Sequence, residues 1–560
     1  MPAAGGFSDG LDDKFARLHR WLDSTGPAED LPRRELSDPA LLAASSLIDA
    51  VLPPAYYVAD PPLIAWLAME AVRIWIEHGP SRLLIGSAAH AAYQAGPQRD
   101  DYPAAYLALG RIVALGEAHG YEPGTSQARY MAATMAGWFE PIETGVRAAH
   151  QARDGLIAGG ELTYGGYSYQ LSVPYSMDCA PSLASFVTEI EEGFAFLRRT
   201  GNEQTGRWLD SYGWLVRVLR SESSTAASEA VPLDRYAGDP TALIYAHLCR
   251  AIAAAIFGDR AGLAQHSAAA MELLQAVHGF YAVAQVRVLR GLALAEEAGA
   301  TDGSARDDLL AQLDDLARWM GGWAAHAPDN FLHQLRLIEA ERAWAAGDFR
   351  AAVIAFDAAR REVAGRQRPW HRALIAERAG RFFLAHGVEH VGYDLLAHAR
   401  HDYLAWGATA KVDHIDWAHP PLQQHAGATT AAGGAERGDL AHHRSTVTAG
   451  TIDLLGILAA SQALSSETSI GGLHARVAEV LGAMTGATGV HLLLWSDERQ
   501  DWLLPGDADA VPMSVLRYLQ RTREPLIVAD ATGDDRFARD PYFAASAPAQ
   551  PRHTAGGAGA

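Results

Sequence analysis

The sequence predicts a mainly α protein: a long stack of paired helices, an α-solenoid, followed by a small and incomplete α/β domain. Three observations carry this. From residue 38 to 419, Ala-rich segments with apolar residues at helical spacing follow one another, punctuated by Gly, Pro and Asp. Strand signals are nearly absent over that span. After Pro420 the composition changes, and beyond residue 450 the order becomes helix, strand, strand, helix, strand. A helix with one apolar stripe is stable only when that stripe meets a neighbour, so a run of such helices implies a stack.

The bulk properties narrow the function. The 560 residues are 49% hydrophobic and 20% charged, the balance of a globular chain. A net charge of −20 argues against a nucleic-acid partner and against docking on anionic lipid, both of which need a basic surface. Two cysteines, Cys179 and Cys249, cannot build a disulfide framework or a cysteine metal site, and their Ala-rich surroundings predict buried thiols. The N-terminus lacks a basic start followed by an apolar core, so it does not read as a signal peptide. Leu63 to Ile76 is the segment that comes nearest to a membrane span, and Glu70 and Arg73 interrupt it. The expected location is cytoplasmic, with no membrane partner.

Residues 1–37 form a mixed, charged N-terminal segment with one helix around Asp12 to Asp23. In the helical region, 38–419, a strong helix follows the Pro61-Pro62 pair from Leu63 to His78. Another starts behind Asp100-Asp101, whose carboxylates suit a helix N-terminus. Leu183, Phe186, Val187, Ile190, Phe194 and Leu197 lie on one helical face. Trp370 to Asp416 reads as two helices with a break at His386-Gly387: Ala373, Ala376, Ala379 and Phe383 stripe the first, and Tyr393, Leu396, Ala399 and Tyr403 the second.

These helices repeat. Gly347-Asp348-Phe349 is followed by Ala352, Phe356 and Ala359; 40 residues on (347 to 387), Gly387 is followed by Gly392, Leu396 and Ala399. Gly258-Asp259 is a third turn of this kind. A glycine ends one helix and a small residue lets the next approach closely. The pattern resembles the tetratricopeptide repeat, with a longer spacing than its usual period of about 34 residues. A non-repetitive helical bundle is the alternative.

Residues 420–450 are rich in Gly, Ala and Thr and read as a flexible linker. Thr451 to Ser466 and Ile470 to Met484 read as helices. Val490 to Trp495 is a short apolar run suited to a buried strand, with Asp501 to Leu504 as its hairpin partner. Met513 to Thr522 is a helix and Pro525 to Asp530 a further strand. Residues 544–560 have no strand pattern and read as a disordered tail.

SQALSSE, GVHLLLW, SVLRYLQRTREPLIVADA and DDRFARDPYF make residues 451–543 resemble the first half of a GAF domain led by a signalling helix. LPPAYYVADPPL, FLHQLRLIEAERAWAAGDF and AWGATAKV resemble the helical region of very large bacterial signalling proteins. Those combine a Ser/Thr kinase, an ATPase, helical repeats, a GAF domain and a histidine kinase. The resemblance implies a protein partner on the concave face of the repeats and a small-molecule ligand for the GAF domain. No Gly-x-x-x-x-Gly-Lys-Ser/Thr loop, Asp-Phe-Gly motif or histidine-kinase acceptor motif is present. The sequence therefore reads as a fragment of such a protein, and half a GAF sheet would expose an unpaired edge.

Residues that might carry chemistry are few. His390, Asp394 and His398 share a helix face, with His401 and Asp402 near; the outer two are about 12 Å apart by helix rise, too far to share one metal. His442, His443 and His474 have no acid–base partner in sequence. The tyrosines of ELTYGGYSYQL (161–171) either line a ligand groove or plug a junction between helix pairs. No catalytic residue, metal site or cofactor is expected. The reading is a non-catalytic signal-transduction segment of a two-component type of system, with interaction repeats coupled to a GAF-type sensor. The alternatives are the regulatory part of a sensor histidine or Ser/Thr kinase, and the effector domain of a transcriptional regulator.

Overall fold

A computed structural model describes residues 10–24, 26–57, 61–202, 206–220, 231–420 and 422, and beyond them 494–496, 501–503, 512–522, 537 and 540–545. The chain divides into two compact units, Met1–Glu436 and Arg437–Ala560. The described residues are mainly α-helical.

The first unit begins with α1 (Leu11–Ser24) and the short α2 (Pro27–Asp30), then α3 (Pro39–Tyr57) and α4 (Pro61–His78). Leu11, Phe15, Leu18 and Leu22 repeat every three or four residues, and all are buried. Lys14 pairs with Glu70 on α4. Arg111 of α6 (Tyr102–His119) donates to the carbonyls of Trp21 (3.3 Å) and Leu22 (3.1 Å) at the end of α1. Residues 11–37, expected as a separate segment, are thus part of the helical body. Their charges hid this, because the pairs they form lie on other helices.

Helices α5 (Ile85–Arg99), α7 (Gly124–Ala136), α8 (Ile142–Ala158), α9 (Leu162–Tyr167) and α10 (Tyr169–Cys179) surround and follow α6. Asp101 caps α6, accepting from the Ala104 amide at 3.1 Å, as its position before the helix predicts. Ser182 caps α11 (Leu183–Thr200) at 3.2 Å. On α11, Leu183, Phe186, Ile190 and Leu197 are buried while Val187 and Phe194 lie at the margin of the face.

Next come α12 (Leu209–Arg220), α13 (Pro240–Phe257) and α14 (Arg260–Glu272). Among the described residues one helix is long and apolar enough to cross a membrane: α13, not the segment 63–76 that the sequence brought forward. It packs as a core helix, 72% buried. Gly258 turns the chain with φ of 74°, and Asp259 caps α14 by accepting from the Gly262 amide at 3.0 Å.

The remaining helices are α15 (Ala282–Gly299), α16 (Gly303–His326), α17 (Pro328–Ala345), α18 (Phe349–Ala364), α19 (Pro369–Ala385), α20 (Glu389–Trp406) and α21 (Thr409–Ala418). Sequential helices pack in pairs. Gly347 and Asp348 form the expected turn, with Asp348 accepting from the Ala351 amide at 3.0 Å. At the crossing of α19 and α20 the backbones nearly touch. A Cβ on Gly380 would lie 2.9 Å from the Gly392 carbonyl oxygen, so neither position admits a side chain. Trp370 to Asp416 spans three helices rather than two, because Gly407 (φ of 98°) ends α20 before α21. Charged residues do not all lie opposite the apolar stripe of α19 either. His371, Glu377 and Arg378 are buried with it, since α19 is enclosed on several sides.

In the second unit, β1 (Leu494–Ser496) pairs antiparallel with β2 (Asp501–Leu503), placing Trp495 opposite Trp502. These are the two segments read as a hairpin in sequence. A helix, α22 (Met513–Thr522), has the predicted bounds, and a short α23 (Pro541–Ala545) follows. The Asp540 carboxylate accepts from the amides of Ser514 (2.6 Å) and Tyr542 (3.1 Å), capping both helices. The leading helices at 451–466 and 470–484 and the strand at 525–530 lie outside the described residues, as do the linker from 423 on and the tail from 546.

Candidate functional site

The polar chemistry of the first unit converges on α10. Of its residues, all but Gln170 are buried. A helix enclosed all round has no reason to be amphipathic, and its sequence, YQLSVPYSMDC, shows no stripe. Tyr175 reaches α7, donating its hydroxyl to the Ala133 carbonyl at 3.0 Å and accepting from the Gly137 amide at 3.1 Å. Ser172 donates to Glu189 on α11. From α15, Gln285 donates to the Pro174 carbonyl at 3.3 Å. Helices α7, α11 and α15 thus all bond to α10.

At the end of α10 lies Asp178, fully buried. Its carboxylate accepts from the Tyr281 hydroxyl at 2.8 Å and from the Trp370 indole at 3.0 Å. His371 Nε2 lies 3.6 Å from Asp178 Oδ1, and His371 Nδ1 lies 3.0 Å from His333 Nε2. Burial holds His371 down at about 4, against the pull of Asp178, and holds His333 well below the ordinary imidazole range. Burial, reinforced by Asp178, pushes the Tyr281 hydroxyl up.

Beside this chain, Arg368 is 1% exposed in its side chain and grips the Glu143 carboxylate of α8 with both terminal nitrogens. It also donates to Asn330 Oδ1 at 3.0 Å. Asn330 in turn donates to the carbonyls of Gly137 (2.8 Å) and Glu140 (2.6 Å) and accepts from the Ile142 amide (3.1 Å). One asparagine thus satisfies the turn between α7 and α8 from the start of α17. Three further ion pairs involve α19: Arg378 with Glu341 and with Glu296, and Glu377 with Lys411 at 2.7 Å.

These groups lie on α8, α10, α15, α17, α19 and α21 and on the approaches to α15 and α19, and sequence reading found none of them as a site. A signal existed: His371 directly follows Trp370 inside an apolar stretch, and Asp178 interrupts another. Single polar residues at such positions need a partner, but the partner is invisible in one dimension.

The residues that the sequence did single out lie elsewhere. Cys179 and Cys249 are free and buried, and burial pushes the Cys179 thiol up to about 12. His390 and Asp394, 3.6 Å apart, are exposed on α20; His398 is tied to the Asp394 carbonyl at 2.7 Å and Asp402 pairs with Arg372. Among the described residues no three His, Cys, Asp or Glu side chains are grouped as metal ligands would be. His442, His443 and His474 lie outside the described residues.

The tyrosine patch splits at the α9–α10 break. Tyr169 is buried beneath the Arg153 guanidinium (4.3 Å) and beside Phe196. Tyr164 meets His90 Nε2 at 3.2 Å and stands edge-on to Tyr130 and Tyr167. Gly165 and Gly166 bring α9 so near α11 that added Cβ atoms would lie 3.3 Å from Phe196 and Leu197. That is the geometry of a packed junction.

Comparison with protein-family models, with curated proteins and with solved structures gives no match.

Proposed function

We propose that the chain is a non-catalytic signal-transduction segment: a tetratricopeptide-like helical body that holds a protein partner, joined through residues 420–450 to a GAF-type sensor. What supports this most is how the buried chemistry of the first unit is used. Asp178, Glu143, Arg368, Arg378 and Lys411 each join one helix to another rather than opening onto a cleft. Active sites need charged groups facing a bound reactant, and groups spent on helix-to-helix bonds instead make a rigid scaffold. A partner would meet exposed apolar residues such as Ile354, Leu404 and Trp417, which are 58%, 49% and 78% exposed. The hairpin and α22 are compatible with the GAF reading of residues 451–543.

The test uses the full chain. With ATP and magnesium, neither phosphate release nor autophosphorylation is expected, and turnover that persists through two orthogonal purification steps would overturn the reading. Photo-crosslinkers at Ile354, Leu404 and Trp417 in expressing cells are expected to capture another protein. Crosslinks confined to the chain itself from all three positions would remove the partner-binding half of the proposal.

A further inference from the structure

We propose that the His333–His371 pair is a proton-operated latch that keeps α17 and α19 together near neutral pH and releases them on acidification. The geometry of the pair carries this. A single bond of 3.0 Å joins two ring nitrogens, so one ring supplies the N–H and the other the lone pair. Two imidazolium rings would set N–H against N–H. With the Nε2–H of His371 turned toward Asp178, its Nδ1 accepts from His333 Nε2. That tautomer leaves His333 Nδ1 as a buried lone pair, and this atom has no hydrogen-bond partner. A proton from solvent would form its N–H bond there, converting His333 to a cation in place.

The counter-charge beside the pair, Asp178, faces His371 Nε2 at 3.6 Å and not His333. On α10, both oxygens of Asp178 are taken by Tyr281 and Trp370, and the Cys179 thiol is neutral. On α8, Glu143 is engaged by Arg368. Before α19, Arg368 and Arg366 present positive charge to His333, and Tyr281 before α15 is already a donor to Asp178. Burial and these two arginines oppose protonation of His333, and burial opposes that of His371 despite Asp178. Each imidazole is kept neutral in the folded body but charges freely once exposed. The closed arrangement is therefore favoured fully above the ordinary imidazole pKa of about 6.5 and loses its advantage as pH falls below it. Trp370, bonded to Asp178 next to the pair, stands where the latch opens.

The full chain supplies the test. Near-ultraviolet circular dichroism, followed from pH 7.5 to 4, is expected to show a cooperative loss of tryptophan signal. His333→Gln/His371→Gln keeps polar side chains that cannot titrate in this range, and should move the midpoint at least one pH unit lower. His390→Gln/His398→Gln, on the exposed face of α20, should leave it in place. A centre variant with the wild-type midpoint, or an equal shift produced by the His390/His398 variant, would overturn the latch. Should the centre variant fail to fold, hydrogen exchange of the wild-type chain decides. Corrected for intrinsic rates, peptides over 328–345 and 369–385 should lose protection at higher pH than those over α4 and α13; simultaneous loss, or the reverse order, would overturn it.

Discussion

Trp138, just beyond α7, packs at a tilt with its ring centroid 4.4 Å from that of Trp323 on α16, and its indole N–H donates to the Gly279 carbonyl at 2.8 Å. Phe331 and Tyr102 complete the contact at 5.6 and 5.7 Å. Helices far apart in sequence are thereby closed onto one another. Trp138→Ala should leave a large cavity at this closure and cost about 3–5 kcal/mol. Urea unfolding followed by far-ultraviolet dichroism checks it, and Trp138→Phe should recover part of the loss. An unchanged midpoint for the alanine variant would mean that the closure is not stabilising.

The Arg378 pair with Glu341 is a second long-range tie, each side chain 3% exposed. Removing the cation alone, as in Arg378→Met, strands the buried Glu341 carboxylate and leaves Glu296 only its contact with Arg260, and should cost about 3–5 kcal/mol. Arg378→Met/Glu341→Leu/Glu296→Leu should recover most of it, because apolar residues of similar volume avoid the cost of burying charge. Thermal midpoints of the two variants, compared with wild type, distinguish a stranded charge from lost packing.

Glu189 ties α8 to α10 and α11. Burial pushes its carboxyl up, but His150, Ser172 and Arg153 outweigh this and hold it at about 2. A depressed carboxylate stabilises the fold above its unfolded pKa and loses that contribution as pH falls through the folded one. The stabilisation should therefore fade between about pH 4.5 and 2. Glu189→Gln should flatten the stability profile over that window while lowering stability at pH 7, as chemical denaturation at a series of pH values would record.

Asp348 caps α18 from outside the helix. Asp348→Ala should cost about 1 kcal/mol by freeing the Ala351 amide, and Asp348→Asn much less. By contrast, His390→Ala/His398→Ala on the exposed face of α20 should stay within about 0.5 kcal/mol of wild type. Parallel melts of the three variants check both statements, and a large effect of the histidine pair would reopen α20 as a site.

The parts of the fold that the sequence disclosed are those set by neighbours along the chain. Asp101, Gly258-Asp259 and Gly347-Asp348 act within a turn of where they stand, and α22 has the expected bounds. Gly392, read as permitting close approach, meets Gly380 across the α19–α20 crossing. What stayed hidden was decided by distant partners. Nothing near Lys14 announces Glu70, and nothing near Asp178 announces Tyr281 or Trp370. The central polar groups were missed for the same reason: their partners lie on or next to other helices.

The enclosure of α10 changes how this body can come apart. In an array whose units touch only their neighbours, ends fray, a terminal unit can be deleted at local cost, and assembly can start anywhere. Here one short helix bonds to α7, α11, α15 and α19 at once. None of those contacts is complete until residues on both sides of α10 in the chain have arrived. Non-local closure of that kind slows folding. Removing the last helices would uncover the middle of the molecule rather than trim its end.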